Sequence, residues 1–235
     1  MASAPHSSNH LLNSLVPGDF NLLLGDLTTV KLAHEAVLFA AGDPITRVYF
    51  PHSGVISLVV GFLEGEMIEV AMVGRDSVAG ASSAFDGAIA LNHAIVQLPG
   101  EASVLDVAKL RIAAELSVSF RTKLMRHQQV LFVQAQQSAA CNATHSVESR
   151  LSRWLLRMHD LSGKDTLQLT QEFLAQMVGA QRTSVSLVAH ALQQAGLIRY
   201  HRGRIEIINL EGLRDCACEC YGTVRAHCDR LLVDD

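Results

Sequence analysis

LTQEFLAQMVGAQRTSVSLVAHALQQAGLIRYHRGRIEIIN, residues Leu169 to Asn209, is the stretch whose reading decides the fold. Thr170 is placed to accept a hydrogen bond from the first turn of a helix, and Glu172 puts negative charge where the helix dipole favours it. Leu174, Met177 and Val178 give that helix one apolar face. Gly179 tolerates the positive φ that lets a chain leave a helix and turn sharply. A second helix is predicted from Arg182 to Gln194, with Val185, Val188 and Leu192 recurring at i, i+3 and i+7 and facing inward. Thr183, Ser186, Leu187 and His190 fall on the opposite face. Arg182 sits at the N-terminal tip and Gly196 stops the helix. LIRYH and RIEII then flank Arg202-Gly203, two β-prone runs around a glycine-containing turn.

Helix, tight turn, helix and basic hairpin together describe a winged helix-turn-helix. From Phe173 to Ile205 there is no Asp or Glu, whereas Arg182, Arg199, Arg202 and Arg204 are cationic. In a chain of net charge −4 that is a local basic patch, and such patches meet phosphates. An ordinary helical subdomain with a solvated basic face would share the helices, but not the coincidence of wing and charge segregation. The expected partner is double-stranded DNA.

The residues Leu169-Thr170-Gln171-Glu172, Met177-Val178-Gly179, Arg182, Val185, Leu192 and Gly196-Leu197-Ile198 resemble the cyclic-AMP receptor protein / fumarate-nitrate regulator (Crp/Fnr) family of bacterial transcription factors. The resemblance is sharp from about Ser146 to Asn209 and covers nearly the whole chain in layout. It implies that the second helix enters the major groove, with Arg182 in the place of an arginine that contacts phosphate or base. The glutamate and second arginine that some members use for base readout are here Thr183 and Leu187, so the family's usual operator is not expected. Leu187 can touch a thymine methyl, and Ser186 and His190 can hydrogen-bond base edges. Arg202 and Arg204 are candidates for backbone phosphates. The resemblance also implies a homodimer and contact with RNA polymerase.

Upstream, from Thr29 to about Asp106, the texture is VLFAAGD, RVYFP, GVISLVVGFL, EMIEVAMVG, NHAIVQLPG and ASVLDV. Short apolar runs punctuated by turn residues mean an all-β barrel, sandwich or jelly roll. In family terms they resemble the double-stranded β-helix, or cyclic-nucleotide-binding-like, sensor domain. Residues 1–10 read as a polar, mobile tail and Leu11 to Leu27 as short helical pieces. Asp106 is predicted to cap a helix. A long helix from about Ser117 to Ala143 carries two apolar rows, one through Phe120, Leu124 and Leu131, the other through Met125, Phe132 and Ala139. One row can pack on the β-roll and the other on a second copy of the chain, as the family's dimerisation helix does; burial on two sides within a monomer is the alternative. Asn142 to His145 reads as a hinge, Ser146 as the cap of the next helix, and Leu210 to Leu232 as a closing helix.

The chain is therefore read as α+β in three parts. A β-roll sensor domain with short N-terminal helices spans 1–105, a helical connector with the long dimerisation helix spans 106–145, and the winged helix-turn-helix spans 146–235. Of the 235 residues, 49% are hydrophobic and 18% charged, a composition suited to packed cores rather than disorder. The N-terminus lacks a signal-peptide pattern and no run reaches a membrane span, so a cytoplasmic location and no membrane partner are expected.

Family members that bind cyclic nucleotides hold the phosphate with a Gly-Glu pair and an Arg-Ser-Ala segment; an arginine fork and backbone N–H groups neutralise the buried charge. The corresponding stretches here are Gly74 to Ala81 and Asn92-His93-Ala94, which lack both features, so tight cyclic-AMP binding is not expected and any small-molecule effector is of unknown chemistry. No cysteine precedes Cys141, which excludes an N-terminal iron–sulfur motif; His34, His52 and His93 lack cupin-type metal spacing; and the scattered histidines point to surface or hydrogen-bonded roles rather than a haem ligand. No cofactor is expected. Cys216, Cys218, Cys220 and Cys228 are bunched, and thiolates bind zinc or iron–sulfur clusters. However, C-x-C-x-C-x7-C is not a standard zinc spacing, and on a continuous helix Cys218 would point away from Cys216 and Cys220. Cys141 reads as a packing residue. The rivals are a thiol-based redox or metal sensor that differs only in input, and a β-barrel enzyme with an appended helical domain, which no catalytic constellation supports.

Overall fold

The computed structural model describes residues 8–85 and 89–232, with side chains described as far as Arg230. The chain opens with α1 (His10–Asn13) and α2 (Pro17–Leu24), the latter started by Pro17 at its first turn. Residues 1–7 of the expected mobile tail lie outside the described residues, but its end is fixed. Asn9 is fully buried, caps α1, and donates from Nδ2 to the carbonyls of Pro51 and Ser77, both at 2.9 Å.

The β-roll follows as two antiparallel sheets. One has β1 (Thr28–Leu32), β7 (Gly100–Asp106) and β3 (Arg47–Pro51) in the order β1-β7-β3. The other has β2 (Val37–Phe39), β6 (His93–Leu98), β4 (Val55–Gly61) and β5 (Met67–Val73) in the order β2-β6-β4-β5. Every apolar run read as a strand is one. Phe50, Ile56 and Val96 fill the space between the sheets, fully buried.

Asp106 caps α3 (Val107–Leu116), accepting from the Ala108 N–H at 2.8 Å, and Ser117 caps α4 (Val118–Thr144). Phe120 and Leu124 join the β-roll core, whereas Met125 and Phe132 are exposed. His127 fastens the middle of α4: its Nε2 accepts from the Ser77 hydroxyl and the Val78 N–H, and burial pushes its pKa down to about 4. The hinge read at Asn142 to His145 is narrower than expected. Asn142 and Thr144 remain helical, because the Thr144 hydroxyl bonds the Ala140 carbonyl within the helix and Asn142 accepts from Arg150; the break falls at His145–Ser146.

The C-terminal domain begins with α5 (Val147–Ser162), capped by Ser146. It continues through β8 (Thr166–Gln168), α6 (Gln171–Val178), α7 (Arg182–Gln194), β9 (Ile198–His201) and β10 (Arg204–Ile207). Its core, built on Leu151, Trp154, Leu174, Val185 and Ile205, runs on into Val55, Val59 and Met72 of the β-roll. The closing helix expected over Leu210–Leu232 is two helices, α8 (Leu210–Cys216) and α9 (Cys220–Leu232). Leu213 of α8 is buried in the winged-domain core, whereas Val224 and Cys228 of α9 pack on Val130 of α4. The two helices thus serve different partners, and Ala217, with ψ 150°, turns the chain between them. No helix among the described residues is long and apolar enough to cross a membrane.

Candidate nucleic-acid interface and thiol cluster

Thr170 caps α6 by accepting from the Phe173 N–H at 3.2 Å. Gly179, at φ 61°, closes the helix as the Ala180 N–H bonds back to the Ala175 carbonyl, which sets the sharp turn into α7. Val185, Ala189 and Leu192 are buried, and Val188 is half-buried beside them. Arg182, Thr183, Leu187 and His190 are exposed on the outer face, Leu187 by 73%. Ser186 sits deeper, its Oγ 2.6 Å from Gln171 Oε1 and 2.9 Å from the Arg182 carbonyl.

The wing is the β9–β10 hairpin, joined through β10 to β8 in the order β8-β10-β9. Its two-residue turn has Arg202 at φ 47° and Gly203 at φ 74°, both left-handed. Such turns match the twist of a hairpin and favour Asn-Gly, so Arg202 stands where an unbranched cation costs conformational energy. Glu172 and Glu206 border the acid-free stretch and partly temper it: Arg182 lies 3.6 Å from Glu172 and Arg199 2.7 Å from Glu206, all exposed. Arg202 and Arg204 have no ion-pair partner among the described residues.

The winged domain is fastened to the β-roll through α5. Trp154 Nε1 donates to Glu69 Oε1 of β5 at 2.9 Å, Arg157 pairs with Asp76 at 2.7 Å, and Arg75 donates to the Asp160 carbonyl at 3.0 Å. The segments corresponding to the nucleotide-binding stretches are thus engaged elsewhere: Arg75 on α5, Ser77 and Val78 on His127, and the His93 ring near the Ala41 N–H at 3.4 Å. The cavity between the β-roll and α4, about 350 Å³, is lined by groups such as Phe39, Leu58, Ala90, Gln128 and Leu131, and by no cationic side chain among the described residues.

A second assembly forms where α4 ends. Cys141, His145, Cys218 and Cys220 bring one sulfur or ring nitrogen each to within 4.8 Å of one another. Cys141 lies in the last turn of α4, and His145, four residues on, caps that turn with its N–H bonded to the Cys141 carbonyl at 3.0 Å. Cys218 lies in the α8–α9 break and Cys220 opens α9. Cys141 Sγ is 3.5 Å from Cys218 Sγ, and Cys220 Sγ is 3.5 Å from His145 Nδ1. All three cysteines are buried and form a patch of their own, and burial together with neighbouring thiols pushes Cys218 up to about 12. This corrects the sequence reading on two counts. Cys218 does not point away from Cys220, because the helix breaks between Cys216 and Cys220. Cys141 is a member rather than mere packing. Of the other C-terminal cysteines, Cys216 is half-exposed and Cys228 packs on Val130 and Val224; neither joins the group. The signal available in the sequence was Cys141-x3-His145 at the end of a long helix, paired with Cys218-x-Cys220.

A family model described as a Crp-like helix-turn-helix domain matches residues 149–216. The global nitrogen regulator of Synechococcus elongatus is 25% identical over 181 residues, 73% of this chain and 82% of its own length. The transcriptional regulator SdrP of Thermus thermophilus is 33% identical over 81 residues, 32% of this chain and 40% of its own length. Among solved structures, FixK2 from Bradyrhizobium japonicum matches with a TM-score of 0.70 at 17% identity, over 82% of this chain and 98% of that one. TTHA1359 of Thermus thermophilus, a CRP/FNR-family transcriptional regulator, matches with a TM-score of 0.67 at 23% identity, over 81% and 98%. Residues 149–216 are thus a Crp-like helix-turn-helix domain, in a chain with the fold of the Crp/Fnr regulators. The solved structures establish the fold over both domains, and the family match falls on the domain that carries α6, α7 and the wing. The chain is a DNA-binding transcription regulator with the winged helix-turn-helix read from Leu169 to Asn209.

Proposed function

We propose that this Crp/Fnr regulator acts as a homodimer that reads a two-fold symmetric DNA site with α7, and that its input is the thiol–imidazole cluster rather than cyclic AMP. The observation that carries the input is the convergence of Cys141, His145, Cys218 and Cys220 at the junction of the long helix and the DNA-binding domain. A change there, by metal binding or thiol oxidation, acts at the point about which the winged domain would turn.

The dimer is supported by α4. Met125, Gln129, Phe132, Gln136, Ala139 and Ala143 are spaced alternately by four and three residues, and none is buried within the chain. That is the 3.5-residue repeat of a helix pair packing along one seam. The reading against cyclic AMP is supported by a cavity with no cationic lining and by the other uses of Arg75, Ser77 and Val78. In the test, the regulator selects from randomised DNA and its affinity for the selected site is measured after chelation, metal restoration, mild oxidation or cyclic AMP. The expected result is a symmetric motif whose affinity responds to metal or oxidation and not to the nucleotide. An affinity indifferent to both thiol treatments, or raised by cyclic AMP, overturns this reading of the input.

A further inference from the structure

We infer that Cys141, His145, Cys218 and Cys220 form a closed, tetrahedral Cys3His site for a zinc-class divalent cation, which clamps the end of α4 to the α8–α9 junction. The inference rests on the cluster being the input and chooses metal over thiol oxidation.

The geometry supports the choice. Zinc binds thiolate sulfur at about 2.3 Å and imidazole nitrogen at about 2.0 Å, so a tetrahedron of these donors has edges of about 3.5–3.8 Å. The Cys141–Cys218 and Cys220–His145 separations of 3.5 Å are already of that size, and no pair in the set exceeds 4.8 Å. The donors also have outer partners. His145 Nε2 lies 3.2 Å from Glu219 Oε1, so the carboxylate holds the ring with its proton on Nε2 and leaves the Nδ1 lone pair for a cation. Gln137 Nε2 donates to Cys220 Sγ at 3.0 Å, a hydrogen bond that also serves a thiolate. Buried cysteines in a core need neither arrangement. The burial of all three thiols shields them from oxidants, whereas a metal ion deprotonates the thiols it binds.

Binding balances as one divalent cation taken up and three thiol protons released, leaving the site with a net charge of about −1. Arg153 lines the same pocket as Cys220, so its cation lies near enough to offset that excess. Four protein donors leave no open position, so the site holds structure rather than performs catalysis. It would join the last turn of α4 to the linker that follows α8, with the start of the DNA-binding domain at Ser146 between them. Its occupancy would therefore fix the winged domain relative to the long helix.

The test uses full-length protein prepared anaerobically under reducing conditions and titrated with cobalt(II), followed by displacement with zinc. The expected result is equimolar uptake, with sulfur-to-metal charge-transfer bands and the strong visible bands of tetrahedral cobalt. Cys218→Ser and His145→Ala should abolish or greatly weaken these bands, while Cys216→Ser, outside the cluster, leaves them unchanged. Glu219 is largely exposed, so Glu219→Gln keeps the fold and should lower metal affinity by about 10–100-fold, which mere packing of cysteines would not predict. Absence of equimolar cobalt or zinc binding, or binding unaltered in Cys218→Ser, His145→Ala and Glu219→Gln, overturns the inference. If metal fails to bind but oxidation joins Cys141 to Cys218 and changes DNA affinity, the thiol input survives and the metal site does not. If metal binds as described and DNA affinity ignores it, the site stands and the input reading falls.

Discussion

Trp154 of the DNA-binding domain donates its indole N–H to the buried Glu69 carboxylate of the β-roll at 2.9 Å, so one hydrogen bond joins the first helix of the reading domain to the sheet of the other. Ser57 donates to the second oxygen of the same carboxylate. Burial pushes Glu69 up to about 7, against the opposing pull of the Ser57 hydrogen bond and the nearby Arg153. A carboxyl whose folded pKa is raised holds its proton more tightly in the folded chain. Its contribution is therefore complete below the unfolded pKa of about 4.5 and is lost as pH rises through about 7. The size is on the order of 3 kcal/mol. Glu69→Gln keeps an acceptor for Trp154 and cannot ionise. It should flatten stability between about pH 5 and 7 and raise Tm at pH 8, as measured by thermal unfolding across pH. An unchanged profile would remove Glu69 as the group responsible.

Arg202 occupies the left-handed first position of the wing turn at φ 47°, where asparagine is favoured and other residues lose about 1 kcal/mol. An exposed cation held in a disfavoured conformation is what a phosphate contact would retain. Arg202→Asn should leave Tm equal or slightly raised while lowering affinity evenly across DNA sequences, with the salt slope reduced by about one. Thermal unfolding and a binding series across salt separate the two effects. An unchanged slope would take Arg202 off the DNA.

The helix-turn-helix was legible because its signals are local: Thr170 caps, Gly179 turns, and Val185 and Leu192 mark the buried face within a few residues of one another. The thiol cluster was not, because Cys141 and Cys218 meet only after α9 folds back on α4. The break at Ala217 to Glu219 that permits this arises from two helices serving different partners, and no residue there is a strong helix breaker. Asn9 failed for the same reason: a polar residue in a polar tail is fixed by carbonyls at Pro51 and Ser77, far along the chain. The two apolar rows of α4 were legible, but not which row remains uncovered; the packing of Phe120 and Leu124 on the β-roll settles that.

Phe132 is 63% exposed at the middle of the uncovered row. In a helix pair it would be buried, and a carboxylate there must be desolvated or neutralised. Phe132→Asp should leave the fold of the single chain intact by circular dichroism. It should weaken self-association by roughly 2 kcal/mol or more. Light scattering at micromolar concentration should show a dimer for the unaltered chain and monomer for the variant. A monomeric unaltered chain, with and without DNA, would end the dimer reading.

The reading face of α7 separates by chemistry. His190 and Thr183 are exposed with hydrogen-bonding groups free to meet base edges, and Leu187 presents an apolar surface suited to a thymine methyl. Ser186 has its hydroxyl on Gln171 at 2.6 Å; if its proton stays there, the oxygen can only accept, and it reads donor edges alone. His190→Ala and Leu187→Ala should each cost roughly 1–3 kcal/mol at the preferred site and relax preference at one position per half-site. Ser186→Ala should cost less and should loosen α6 against α7 through the lost Gln171 contact. Selection from randomised DNA with each variant reads both effects, since a dimer returns two half-sites about one helical turn apart. If His190→Ala and Leu187→Ala leave the selected motif untouched, this face of α7 does not specify the bases.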